Sequence, residues 1–195
     1  MERTEHAPQA ADRRVERTKH ALVEALVLLL ESKAFDNVSV AEITERANVG
    51  RSTFYAHFAD KQGLLFHAIE LLETSLANQA STAQNPVLGF LEGLVDHVAG
   101  SREVCASLLG RSSGDAIRYR MHELFCGGIR RGLSDRARRD PHAEHGVVFV
   151  AGAVQALVQH WVGQPEGSRE ELLAVMRRLV LRTLQELERL DTTPL

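Results

Sequence analysis

The segment Ser39–Lys61, SVAEITERANVGRSTFYAHFADK, constrains this chain more than any other, because its local signals fit two short helices joined by a tight turn. Ser39 and Glu42 stand three apart, the spacing of a capping box in which each side chain takes up a free backbone N–H at the helix start. A helix is therefore expected from Val40. Val40, Ile43 and Ala47 share its apolar face, and Glu42, Glu45 and Arg46 point to water. Asn48-Val49-Gly50 ends it, since Asn and Gly tolerate the left-handed backbone of a sharp reversal, and Gly50 is a second-rank cap for another helix. This second helix spans Arg51 to Phe58. Phe54 and Phe58 are four apart and bury together, leaving Arg51, Ser52, Thr53, Tyr55 and His57 around the open sides. A short helix with an apolar seam and a donor-rich outer face suits the major groove of DNA, where a guanidinium fork fits guanine and hydroxyls reach phosphates.

Within this segment TFYAHFADK, preceded by ANVGRS, closely resembles the helix-turn-helix of the tetracycline-repressor (TetR) family of bacterial transcription regulators. The resemblance covers roughly Arg13 to Leu72. Gly50 stands where a capping Ser is frequent in that family, and Ser52 where a Gly or Pro often sits. The resemblance implies an all-α fold of about nine helices. Residues 1–12 are expected to be a mobile tail and residues 13–72 an N-terminal three-helix DNA-binding domain that includes the start of a linking fourth helix. Residues 73–195 would form a C-terminal helical ligand-binding and dimerisation domain. The implied function is sequence-specific transcription regulation by a cytoplasmic homodimer, a repressor released from a palindromic double-stranded operator by a small-molecule effector. Arg51 is assigned to a base edge, and Ser39, Thr53, Tyr55 and Lys61 to phosphates, with Ser52 and His57 in support.

Composition narrows how such binding can work. The 195 residues carry a net charge of -3, so the field of the whole molecule does not attract DNA and a local surface must. Arg13, Arg14, Arg17 and Lys19 open the first helix; a solvated face and phosphate contact are both open readings, and the resemblance favours DNA for Arg14 and Arg17. Asp60 is a good N-cap for the fourth helix, which places Lys61 in a first turn that favours an anion. No signal peptide is evident, the apolar run Ala21 to Leu30 is too short and too interrupted by Glu24 to cross a membrane, and no membrane partner is expected. Cys105 and Cys126 lack any zinc-finger spacing and fit a reducing compartment.

Further along, turn signals delimit helices near Pro86 to Ala99, Arg102 to Leu109, Asp115 to Arg136 and Ala143 to Val162, and Ser168 with Glu171 opens a last one to about Leu190. The eighth is apolar nearly all round, so more than one side must be covered. One reading is a central core helix. The other, from the resemblance, is a four-helix dimer interface using Val148, Ala151, Gly152, Gln155, Leu172, Met176, Leu179 and Val180. The resemblance also implies an effector cavity enclosed by helices four to eight, which here would draw on Phe90, Leu94, His97, Leu108, Met121, Phe125, Phe149, Gln155 and Trp161, with His97, Gln155 and His122 as the few polar groups such a site needs.

No nucleophile elbow, phosphate-binding loop, dinucleotide fingerprint or HExxH motif is present, which argues against an enzyme. No cofactor is expected. His122 with Cys126, and His142 with His145, have helical spacing that permits a shared metal, so a metal- or thiol-redox-sensing regulator is the alternative. Arg130, Arg131, Arg136, Arg138 and Arg139 crowd a helix C-terminus, where the dipole favours cations; an anion-binding surface and a solvated helix end are both open.

Overall fold

A computed structural model describes residues 7–109, 114–135, 137–139, 141–164 and 166–190. Nine α-helices and two 3₁₀ turns account for nearly all of them, with no strand among the described residues. The chain divides into two compact units, Met1–Ala68 and Ile69–Leu195.

The first unit holds α1 (Ala7–Leu30), a 3₁₀ turn (Phe35–Asn37), α2 (Val40–Arg46), α3 (Arg51–His57) and the start of α4 (Lys61–Thr82). α1 begins within the expected tail. Pro8 falls in its first turn, where a missing N–H leaves no bond unmade, so the helix extends back through residues 7–12; residues 1–6 of that tail lie outside the described residues. Leu22, Ala25, Leu26 and Leu30 form the buried stripe of α1, and α1 packs on α2 over Ile43. Phe35, Val38, Phe54 and Phe58 complete this core.

In the second unit come α5 (Pro86–Gly100), α6 (Arg102–Leu109), α7 (Asp115–Gly132), α8 (Ala143–Val162) and α9 (Arg169–Leu190). α7 ends at Gly132, earlier than the expected Arg136, which is outside the described residues. Asn85 caps α5 through its side chain, accepting from Leu88 N–H at 3.1 Å, with Pro86 in the first turn. Ser168 accepts from Glu171 N–H at 3.3 Å but gives its own proton to Glu170, so the cap of α9 is half a capping box.

α5 is covered by α6, α7 and α9, and α8 lies against α6, α7 and α9. Phe90, Leu94, Leu124, Phe125, Val154, Val158 and Met176 are the centre of this core. The approach of α7 to α5 is close enough to require glycine: a Cβ at Gly128 would fall 2.3 Å from the Phe90 ring. α8 has the length and composition to cross a membrane; its three helical neighbours cover Val147, Val150, Ala151, Val154 and Val158, while Val148 and Phe149 stay exposed.

Candidate nucleic-acid interface

The reading head is assembled by local signals. Both halves of the capping box form, Ser39 Oγ accepting from Glu42 N–H at 3.2 Å and Ser39 N–H donating to the Glu42 carboxylate at 2.9 Å. Asn48, at φ 52°, is the left-handed residue that reverses the chain, and Val49 N–H closes the turn on Thr44 O at 2.9 Å. α3 then starts from Gly50, whose φ of -65° needs no glycine and which supplies no side-chain cap.

What orients α3 is its aromatic seam. Phe54 is fully buried, its ring 5.3 Å edge-on from Tyr55 and 5.9 Å from Phe58, and Phe58 in turn meets His67 at 5.6 Å. With that side pinned, Arg51, Ser52, Thr53 and Tyr55 lie on the solvent side, Tyr55 at 59% exposure, while His57 is half-buried. Arg14 and Arg17 are exposed on α1. The unit thus presents a guanidinium, three hydroxyls and further arginines outward from a rigid support.

Two of the residues assigned to phosphates have partners within the chain. The Lys61 ammonium donates to three backbone carbonyls, Phe35 at 2.9 Å, Asp36 at 2.9 Å and Val38 at 2.7 Å, and lies 4.8 Å from the Phe35 ring centroid. An ammonium has three donors, and all are spent. Lys61 is a clamp that gathers the 3₁₀ turn onto the start of α4. Asp60, as expected, caps α4 by accepting from Gly63 N–H at 2.8 Å. Ser39 is likewise committed: beyond accepting from Glu42 N–H, its hydroxyl donates to the Glu42 carboxylate at 2.7 Å.

Lys33 completes the arrangement by pairing with the same carboxylate, a contact nine residues away that no short motif announces. Held by Lys33 first and by Ser39 next, the Glu42 carboxyl has its pKa lowered from 4.5 to about 2. Because the folded value lies below the ordinary one, the contribution of this pair to stability is complete above about 4.5 and is lost as pH falls toward about 2. Amide exchange at Glu42, followed by NMR, is expected to accelerate relative to Phe54 across that window, once both are corrected for their intrinsic acid dependence. Parallel changes at both sites would contradict this.

The residues assigned to an effector cavity separate. Phe90, Leu94, Leu108, Met121, Phe125 and Trp161 are buried. Phe149, by contrast, is 66% exposed on the outer side of α8 and is not an interior residue; His97 is exposed on α5, although partial burial of its ring lowers its pKa. Trp161 acts as a packing post, its indole N–H donating to Gly167 O at 2.9 Å. Arg102, unanticipated, caps the end of α8: its guanidinium donates to Trp161 O, Val162 O and Gln164 O and lies 4.6 Å from the Trp161 ring centroid.

His122 lies between Gln155 Oε1 at 3.2 Å and Cys126 Sγ at 3.4 Å. With the amide oxygen accepting, Nδ1 carries the proton and the thiol donates to Nε2. Burial, and then the nearby Glu123, raise the Cys126 pKa, and burial pushes Cys105 up to about 12. Both thiols are held protonated and unreactive, which removes support from redox sensing. Among the described residues no group of three or more His, Cys, Asp or Glu side chains is placed to hold a metal.

Of the residues assigned to a dimer interface, Ala151, Leu172, Met176 and Val180 are buried within the chain. α8 and α9 pack on each other, so those residues serve the internal seam and are corrected to core. Val148 and Leu179, each 47% exposed, stay outside, and Gly152 and Gln155 are half-buried. A Cβ at Gly152 would meet nothing within 4 Å.

Residues 18–68 match the family model described as bacterial regulatory proteins, tetR family. A curated relative, the uncharacterized HTH-type transcriptional regulator YxbF of Bacillus subtilis (strain 168), is 34% identical over 76 residues, 38% of this chain and 20% of the relative. The chain thus matches about a fifth of that relative's length. Among solved structures, a TetR transcriptional regulator from Streptococcus agalactiae 2603V superposes with a TM-score of 0.65 at 24% identity, covering 89% of this chain and 98% of that one. RolR in complex with the ligand resorcinol superposes with a TM-score of 0.58 at 22% identity, covering 94% and 97%. At these identities the likeness establishes the all-helical fold.

Proposed function

From the match of residues 18–68 to the tetR-family model, we propose that this chain is a transcriptional regulator of that family, a homodimeric repressor that binds a palindromic operator and is released by a small-molecule effector. The observation that carries the reading is the outer face of α3, where Arg51, Ser52, Thr53 and Tyr55 stand free of the core on a helix pinned by Phe54 and Phe58. Arg51 reads a base edge; Thr53, Tyr55, Arg14 and Arg17 contact phosphates; Ser52 and His57 support them. Phosphate contacts set affinity and register, and the base contact sets sequence preference.

The second copy docks on the outer sides of α8 and α9. Val148, Phe149 and Leu179 leave apolar surface there, and the open space over Gly152 admits close approach of another helix. Two-fold symmetry then puts two α3 helices about one DNA turn, or a multiple of it, apart. An effector that binds better when the heads are mis-spaced shifts the population away from the DNA-bound form. RolR, whose structure holds resorcinol, is a precedent for a small ligand on this fold.

Selection of sites from random DNA by the purified protein, followed by sedimentation of the best complex, tests the reading. A palindrome bound by two or four chains is expected. Arg51→Ala is expected to relax discrimination at one base pair per half-site by about 1–3 kcal/mol. Equal losses on the selected site and on random DNA would overturn the role of Arg51, and failure to enrich any sequence at moderate salt would overturn the repressor reading.

A further inference from the structure

A cleft of about 340 Å³ opens where the end of α4, the start of α5 and the end of α7 meet. Its lining is short of side-chain atoms, with Ala77 and Ala80 on α4, Phe90 on α5, and Gly128 and Gly132 on α7. Phe90 rests on Gly128, where a Cβ would fall 2.3 Å from its ring, so this wall is closely packed. Its volume lies at the lower end of the roughly 300–1,000 Å³ typical of small-molecule sites. Of the residues assigned to an interior cavity, Phe90 alone lines it.

Arg131 is the charged residue on this lining. Its guanidinium donates to the Glu73 carboxylate at 2.9 Å, and the same carboxylate accepts from Arg120 at 3.1 Å. Glu73 keeps its negative charge, for although burial opposes it, the bonds from Arg131 and Arg120 lower its pKa. Two cations therefore share one anion. Arg120 is the more enclosed, and Arg131, with its side chain 44% exposed, is the one a solute can reach. An apolar cleft beside a half-compensated guanidinium is complementary to an apolar molecule carrying one carboxylate, since an Arg fork takes a carboxylate through two parallel bonds.

We propose that this cleft binds a small monocarboxylic acid with a short apolar tail, its carboxylate taking Arg131 from Glu73 while Glu73 keeps Arg120. The exchange leaves Glu73 with one of its two ion pairs to α7, so occupancy loosens α4 from α7. This extends the reading of the second unit as effector-binding and rests on it for its biological role.

The test is calorimetric titration of the full chain, without DNA, with octanoate and with octan-1-ol as its uncharged counterpart. One octanoate per chain is expected, with the alcohol weaker by about tenfold or more, the worth of one charge-assisted contact. Arg131→Gln removes the charge, and Ala77→Leu fills the cleft while leaving Arg131 in place. Each is expected to weaken octanoate by about tenfold or more, with helix content by circular dichroism unchanged. No octanoate binding by the unaltered chain, equal binding of the alcohol, or undiminished binding by either folded variant would overturn the proposal. Loss of octanoate binding alongside intact operator selection would sink the cleft and leave the reading head standing.

Discussion

Phe54→Ala is expected to abolish DNA binding by melting the first unit while the second keeps its helices. Phe54 is fully buried, and its ring contacts both Tyr55 and Phe58. Deleting such a ring costs about 3–5 kcal/mol, from lost transfer energy and the cavity left behind. Against the roughly 5–15 kcal/mol that holds a whole domain, and with a unit this small near the bottom of that range, the loss is comparable to the total. In urea monitored by circular dichroism, the variant is expected to lose an early transition seen in the parent and to retain the later one. A variant that keeps both transitions and still binds its operator would show that the seam is dispensable.

Lys61→Met has the next largest expected effect, and it separates two roles for one residue. If Lys61 touched a phosphate, its loss would weaken binding on every sequence and reduce the slope of log affinity against log salt by about one contact. Its three carbonyl partners predict something else. Methionine preserves the packing of the stem and deletes the ammonium, leaving Phe35 O, Asp36 O and Val38 O without that donor. The first unit is then expected to lose about 2–4 kcal/mol, more than one charge-assisted bond but less than three added together. Below the unfolding midpoint, the salt slope of DNA binding is expected to match the parent. A slope reduced by one contact with unchanged urea stability would return Lys61 to the DNA.

The two units differ in how much their residues announce. In the first, the decisive contacts are short-range: Ser39 with Glu42, Asn48 with its reversal, and Phe54 with Phe58 all lie within about one turn of helix, where spacing alone determines who meets whom. The carbonyl partners of Lys61 are not legible from its spacing, because they are 23 to 26 residues upstream and are main-chain oxygens, which carry no residue-type signal. The cap of Ser39 is legible, but the donation of its hydroxyl proton to Glu42 is not, since spacing does not say where a hydroxyl sends its proton.

In the second unit the helices themselves are legible, because Pro86, Ser168 and the glycine-rich joints punctuate them. Their faces are not. α8 is apolar on nearly every side, so periodicity offers no means of telling Ala151, which is buried, from Phe149, which faces out. α9 raises the same difficulty, with Val180 inside and the adjacent Leu179 outside. Arg102 escapes notice because capping from outside a helix depends on tertiary approach, sixty residues distant from the carbonyl of Val162 that it serves.

The Arg102–Trp161 contact also gives the protein a built-in optical gauge. Trp161 is the sole tryptophan of the chain, and its indole is stacked under a guanidinium and tied through its N–H to Gly167. Emission from this fluorophore therefore reports on one joint, where the start of α6 grips the end of α8. Its colour and yield are set by how dry that joint is and how near the cation stands. A solute that parts α6 from α8 will shift the spectrum, whereas events confined to α3 will leave it unmoved.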